Sequence, residues 1–320
     1  MFKQTYFRHK ILDNIYFLKR EIIKIMKIFD CTTFFDEKMM MDLRFNTLNE
    51  YVSKFIVVES TISHSGEKKP LNFKINDYPE FKNKIEYIVI NEEPSDIIKG
   101  DEIIKNPYNK RLNSIKRIEQ SYEYMLKGLG DAEENDLILL SDNDEIPNLD
   151  SSQIEELKKS DFVIFKQLFF YYKFNLFYDR MPWFGSKGCK KKKLLDFSSL
   201  RNLKNKKYPF WRLDTYFSKI KQINLKIIEN GGWHFTNIKT PEELFKKLSN
   251  FGHHDEFELA NIDIDKIKQK IENKEVFYDH LADKESTNRW NDNYKLKKID
   301  LDYLPKYLVK NSEKFKEWID

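Results

Sequence analysis

Cysteine is nearly absent from this sequence: Cys31 and Cys189 are the only two in 320 residues. Two distant thiols build neither a disulfide framework nor a cysteine metal site, so a reducing, cytoplasmic-type compartment is expected. Long apolar runs are missing as well. No stretch approaches the roughly 18 uninterrupted apolar residues of a membrane-spanning helix, and Ile11 to Ile25 is broken by Asp13, Asn14, Lys19, Arg20, Glu21 and Lys24, unlike a secretory leader. Net charge is small. The 56 Lys and Arg against 52 Asp and Glu leave +4, too little to select nucleic acid as a partner. No internal repeat is visible. What remains is a chain with 40% hydrophobic and 15% aromatic residues, able to bury one large α/β core, alone or with a smaller appendage.

The most informative stretch runs from Asp136 to Pro147. Leu137-Ile138-Leu139-Leu140 is too short for a helix and is flanked by polar breakers, so it reads as a strand buried on both faces. Asp142, Asp144 and Glu145 then arrive within four positions. Carboxylates this close repel unless a counter-charge sits between them, and a divalent metal is the natural one. An Asp-x-Asp leaving a core strand is how glycosyltransferases of the GT-A type hold the metal of a sugar-nucleotide diphosphate. A solvated acidic turn is the bland alternative.

Upstream, the pattern predicts a strand at Lys27–Phe29, a helix over Met39–Tyr51, and strands at Phe55–Ser60 and Ile85–Ile90. Arg111–Leu129 has helical spacing and leads into the acidic strand. This alternation is the grammar of a doubly wound sheet, whose ligands sit outside the carboxyl ends of the strands. Downstream, Ile154–Lys159 reads as a short helix and Asp161–Tyr172 as an aromatic strand, followed by an irregular, lysine-bearing region to 228. Gly231-Gly232-Trp233-His234-Phe235 joins paired glycines to a histidine held between aromatics. Thr240-Pro241-Glu242-Glu243 is a helix start with a capping box. Three segments are expected: an extension over 1–25, the main domain over 26–260, and a helical segment over 261–320.

Four blocks, in order, resemble glycosyltransferase family 17. They are Ile28-Phe29-Asp30-Cys31 through Phe35-Asp36-Glu37; Val57-Val58-Glu59-Ser60-Thr61 with His64-Ser65-Gly66 and Lys69-Pro70-Leu71; Leu140 through Pro147; and Gly231 through Phe235. The resemblance implies a single GT-A-like, Rossmann-like mixed α/β sheet flanked by helices. It also implies an inverting transferase that moves a GlcNAc-like sugar from a UDP-sugar to a glycan hydroxyl. The helix before the acidic strand departs from the family's Gln-Arg-Asn-like triplet, because Gln120 is followed by Ser121-Tyr122-Glu123.

Such chemistry asks for a Lewis acid on the leaving diphosphate and a carboxylate to take the acceptor proton. Asp142, Asp144 and His234 are the expected ligands of Mn²⁺ or Mg²⁺, and Asp30, Glu59, Asp142 and Trp233 the expected donor contacts. Arg44 is a further candidate for the nucleoside or acceptor. Glu256 is the preferred base, with Asp255 and Glu145 as alternatives. Expected partners are a nucleotide-sugar donor and a glycan acceptor, with no nucleic acid and no membrane span. Two other readings stay open. One is a non-catalytic carbohydrate-binding protein on a degenerate transferase fold; the other is an Asp-x-Asp phosphotransferase, disfavoured by Ile146 where that class wants Ser or Thr. A calcium loop is weaker, since Pro147 occupies the region of the required glycine turn.

Overall fold

The computed structural model describes residues 26–106, 108–281, 289–290 and 292–320. The expected extension over 1–25 lies outside the described residues.

Strand β1 (Ile28–Phe34), helix α1 (Lys38–Leu48), strand β2 (Lys54–Ser60) and strand β3 (Ile85–Ile90) open the chain. Helices α2 (Asp101–Lys105) and α3 (Tyr108–Lys127) then carry it to β4 (Leu137–Leu140). β1 pairs in parallel with both β2 and β4, and β2 with β3. The chain therefore travels outward from β1 to β3 and comes back across β1 to lay down β4 on its other side. Between β1 and β4 the strand order reverses, which opens a crevice at their carboxyl ends.

Side-chain alternation explains why these strands are apolar throughout. Leu137 and Leu139 enter one core while Ile138 and Leu140 enter the core on the opposite face. Phe55 and Val57 of β2 likewise oppose Ile56 and Val58. Each face is covered by a helix: Met40, Met41, Leu43, Phe45 and Leu48 of α1 fill one side, Met125 of α3 the other. Burial of such a side chain stabilises by roughly 1.5–3 kcal/mol, so polar substitution along β4 would cost on both faces at once.

Beyond β4 the sheet turns antiparallel. β5 (Glu145–Pro147) and α4 (Ser151–Lys159) precede the ten-residue β6 (Phe162–Tyr171), followed by β7 (Leu176–Phe177) and β8 (Trp183–Lys190). The path is β3-β2-β1-β4-β8-β6-β7 and then β11 (Lys297–Lys298), with β8 antiparallel to both β4 and β6. β6 serves two partners on its other edge. Its first half takes β9 (Leu225–Ile228) and its second half β10 (Gly232–Thr236), both parallel. Between β8 and β9 stands α5 (Phe197–Arg201).

After β10, helix α6 (Pro241–Asn250) starts at the expected cap: Thr240 Oγ1 accepts from Glu243 N at 3.3 Å, and Glu243 Oε2 from Thr240 N at 3.0 Å. Helices α7 (His254–Ala260), α8 (Ile264–Glu272) and α9 (Lys306–Lys310) and strand β11 (Lys297–Lys298) complete the chain. The segment from 261 contains more than helices, and it shares the cores of the main sheet. β11 extends the sheet through β7; Leu304, Leu308 and Phe315 join the α1 core; Ile267, Val276, Phe277 and Trp290 pack on Phe169, Tyr171 and Tyr172. Among the described residues, no helix is long and apolar enough to cross a membrane.

Candidate active site

The acidic turn grows directly out of β4. Ser141 is buried and hydrogen-bonded to Ser186 Oγ at 2.7 Å, and Glu145 N donates back to Asp142 O at 3.0 Å, closing the turn into β5. Two devices fix its shape. From inside, the buried Arg44 of α1 donates to the carbonyls of Glu145 (2.7 Å) and Asp142 (3.3 Å). From the other side, the fully buried Glu145 carboxylate accepts from Asp142 N at 3.0 Å, from Trp183 Nε1 at 2.7 Å and from Arg201 at 3.2 Å.

Glycine makes the neighbouring strand possible. Gly232 has φ of +111°, and a Cβ there would lie 2.2 Å from Ile146 O. The bare backbone lets β10 pair with β5 in a register that sets His234 opposite Glu145. His234 is stacked between Trp183, with ring centroids 4.3 Å apart, and Phe169, at 4.7 Å. Its Nε2 lies 3.6 Å from Asp144 Oδ1, and its buried Nδ1 has no hydrogen-bond partner among the described residues.

Asp142, Asp144 and His234 line one cavity of about 430 Å³ at the carboxyl ends of β1 and β4. Asp142 keeps half its side chain open to this cavity and pairs with Arg201 at 2.6 Å. Desolvation in the cleft pushes its carboxyl up to about 6; Arg201 opposes the shift, and Glu145 and Asp144 add to it. Asp144 is more enclosed. Burial acts to raise it, yet Lys247 at 3.4 Å and His234 hold it far below the usual carboxylate range. Two aspartates two residues apart are thus driven in opposite directions by their surroundings.

Several expected donor contacts lie elsewhere. Asp30 is buried and its carboxylate is taken by Arg44, at 2.7 Å from Nε and 2.5 Å from Nη2. Glu59, also buried, accepts from Lys69 Nζ, Asn72 N, Phe73 N and Tyr87 OH, which saturates both oxygens and organises the 61–73 loop. Trp233 faces away from the cavity and donates to Tyr303 O at 2.6 Å, because neighbours on a strand point to opposite faces. Arg44 is likewise internal. The expected bases are displaced too. Glu145 is sealed in its hydrogen bonds, and neither Asp255 nor Glu256 lines the cavity. Glu256 sits behind His253, which it meets at 2.7 Å, and faces Arg289 at 3.5 Å; these partners outweigh burial and lower its pKa. Asp255 Oδ1 is buried with no hydrogen-bond partner among the described residues.

Other groups fill these places. Glu37, at the carboxyl end of β1, lines the cavity. Its Oε2 accepts from Phe35 N (3.2 Å), Asp36 N (3.0 Å) and Asn143 Nδ2 (2.6 Å), while no hydrogen bond among the described residues engages Oε1. Burial acts to raise its pKa, but Lys239 and Lys247 prevail and it is lowered. Lys69, Arg201 and Lys247 bring positive charge to the same walls, and Trp183, Phe277, Tyr278 and Trp290 bring aromatic surface. Glu37 already stood in the first sequence block as the residue after Asp36. Arg201 and Lys247 carried no signal, since they approach Asp142 and Asp144 from 59 and 103 positions away.

Among the described residues, no three His, Cys, Asp or Glu side chains gather closely enough to hold a metal ion by themselves. The expected Asp142, Asp144 and His234 set is therefore not a closed three-ligand shell. Its chemistry still suits a hard cation: Mg²⁺-type ions are held by one or two carboxylates, with water and substrate phosphates completing the shell. Asp142 and Asp144 are two such carboxylates on a cavity wide enough for the rest.

Searching the curated proteins finds no match. Residues 17–319 match the model of glycosyltransferase family 17. With nearly its whole length inside that match, and an α/β sheet that carries the acidic turn at its point of strand reversal, the chain belongs to glycosyltransferase family 17.

Proposed function

We propose that this glycosyltransferase moves a GlcNAc-like sugar from a UDP-sugar to a glycan hydroxyl with inversion, forming a β-glycosidic bond, and that it uses Mn²⁺ or Mg²⁺. The observation that carries this reading is the pair Asp142 and Asp144, leaving a core strand at the sheet's switch point and lining one cavity with Arg201, Lys247 and Lys69. A diphosphate cannot approach two bare carboxylates without compensating charge. Arg201 and Lys247 supply part of it, and Arg201 is charged at any relevant pH. Asp142 and Asp144 would hold the divalent ion, which when bound supplies Lewis-acid stabilisation of the leaving diphosphate.

The protein's own groups do the remaining work. Trp183, Tyr278 and Trp290 give the sugar flat apolar faces and exclude water from the reacting carbon. Inversion needs a base on the acceptor side. Glu37 suits this role better than Glu256, because it lines the cavity with one oxygen held by three donors and the other unengaged by any hydrogen bond among the described residues. Asn143 ties that base to the turn that bears Asp142 and Asp144.

The test is donor hydrolysis and transfer with UDP-GlcNAc and other UDP-sugars, with Mn²⁺ and with chelator. Release of UDP that needs the cation supports the proposal. Binding and turnover unchanged by chelator would remove the metal from it, and turnover of a different nucleotide class would remove the donor.

A further inference from the structure

Between β8 and β9 the surface changes character. Residues 202–222 hold six Lys and Arg but only one acidic residue, Asp214, so this stretch carries +5 against +4 for the whole chain. The same stretch exposes Phe210, Trp211, Leu213, Tyr216 and Phe217, with Phe217 at 91% and Leu213 at 74%. Loops rarely spend this many large apolar side chains on water.

The loop is nonetheless well built. Its ends are tied by Lys204 N donating to Ile220 O at 2.9 Å, and Lys187 Nζ donates to the carbonyls of Arg201 and Leu203 at its root. Asp214 takes both Arg212 (2.6 Å) and Lys221 (2.7 Å), and Tyr216 OH donates to Phe210 O at 3.0 Å. Arg212 lies over the buried Tyr208 ring at 5.3 Å. Arg212, Asp214, Tyr216 and Lys221 are thus bonded within the loop while its apolar side chains are turned outward.

Composition decides the partner. Protein interfaces are depleted in lysine, whereas five of the six basic residues here are lysines. Trp, Tyr and Phe beside a polybasic rim are the composition of a surface that sits at the headgroup level of an anionic bilayer. We propose that this loop docks the protein peripherally on an anionic lipid surface, its rings entering the interface and its lysines meeting lipid phosphates. The loop follows α5 directly after Arg201, so docking would fix the Asp142 cavity relative to the bilayer. The inference stands apart from the identity of donor and metal.

The test is co-sedimentation of the full chain with phosphatidylcholine vesicles and with vesicles containing ~30% phosphatidylserine, at ~0.1 M salt. The expected result is binding to the anionic vesicles only. It should weaken about tenfold or more in the double variant Trp211→Ser, Phe217→Ser and in Lys206→Glu, Lys207→Glu. Because the replaced side chains are exposed, thermal unfolding and UDP-sugar hydrolysis should be unchanged. Three results would overturn the proposal: no binding to either vesicle; full retention of binding by the aromatic variant, which marks charge attraction alone; or a lipid-free dimer abolished by that variant, which assigns the patch to a second copy.

Discussion

Arg44 and Asp30 form a bidentate ion pair with both side chains withdrawn from water, and the same guanidinium holds the carbonyls of Asp142 and Glu145. One buried cation thus links β1 to the acidic turn and sets the backbone from which Asp142 and Asp144 project. Removing one partner of a buried pair leaves the other uncompensated, at a typical cost of about 3–5 kcal/mol. Arg44→Met is expected to lower stability by that order in urea unfolding. Arg44→Lys should also lose stability, because an ammonium cannot reproduce the fork on Asp30 together with two carbonyl contacts.

The acidic pair should separate binding from folding. Asp142→Asn and Asp144→Asn are expected to abolish cation-dependent UDP binding by calorimetry while leaving the unfolding midpoint close to that of the parent. A large loss of stability in Asp142→Asn would show that its pairing with Arg201 is structural.

For the base, Glu37→Gln is expected to reduce transfer by ~10²–10⁴-fold and to spare UDP binding, since a base contributes on that scale without touching the nucleotide. Glu256→Gln should weaken the His253 contact and change transfer far less. Normal turnover in Glu37→Gln together with loss in Glu256→Gln would reverse the assignment.

Gly232→Ala tests the join between β5 and β10. The positive φ and the 2.2 Å approach to Ile146 O leave no room for a methyl group. A destabilisation of about 2 kcal/mol or more is expected, measured by thermal unfolding, with loss of activity because His234 follows two positions later.

His64 gives the chain an acid-sensitive side. Burial first, then Arg117, pushes its imidazole down to about 4 from an ordinary 6.5. In this window the unfolded chain binds the extra proton and the folded one does not, so stability present above pH 6.5 is lost as pH falls towards 4. The loss attributable to His64 should be about 1–3 kcal/mol, read as the difference between the pH profiles of the parent and of His64→Asn. Parallel profiles would show that His64 is solvated.

Local pattern made much of this molecule legible. The four apolar residues of β4 could satisfy their side chains only between two covered faces, the Thr240 cap needed nothing beyond its own turn, and strand and helix alternation up to Leu140 implied a parallel sheet. The Asp-x-Asp turn was visible for the same reason. What the amino-acid order could not decide was which neighbour faces the cavity. Alternation says that Trp233 and His234 point to opposite sides, but only the pairing of β10 with β5 and β6 decides that His234 is the inward one. Glu145 and Asp142 are three positions apart, and Glu145 is the sealed one because Trp183 and Arg201 reach its carboxylate from distant segments. Glu256 is the base that the local sequence favours, and only folding lays His253 and Arg289 against it. Charge partners come from tertiary contacts, and they decide which carboxylates are available for chemistry.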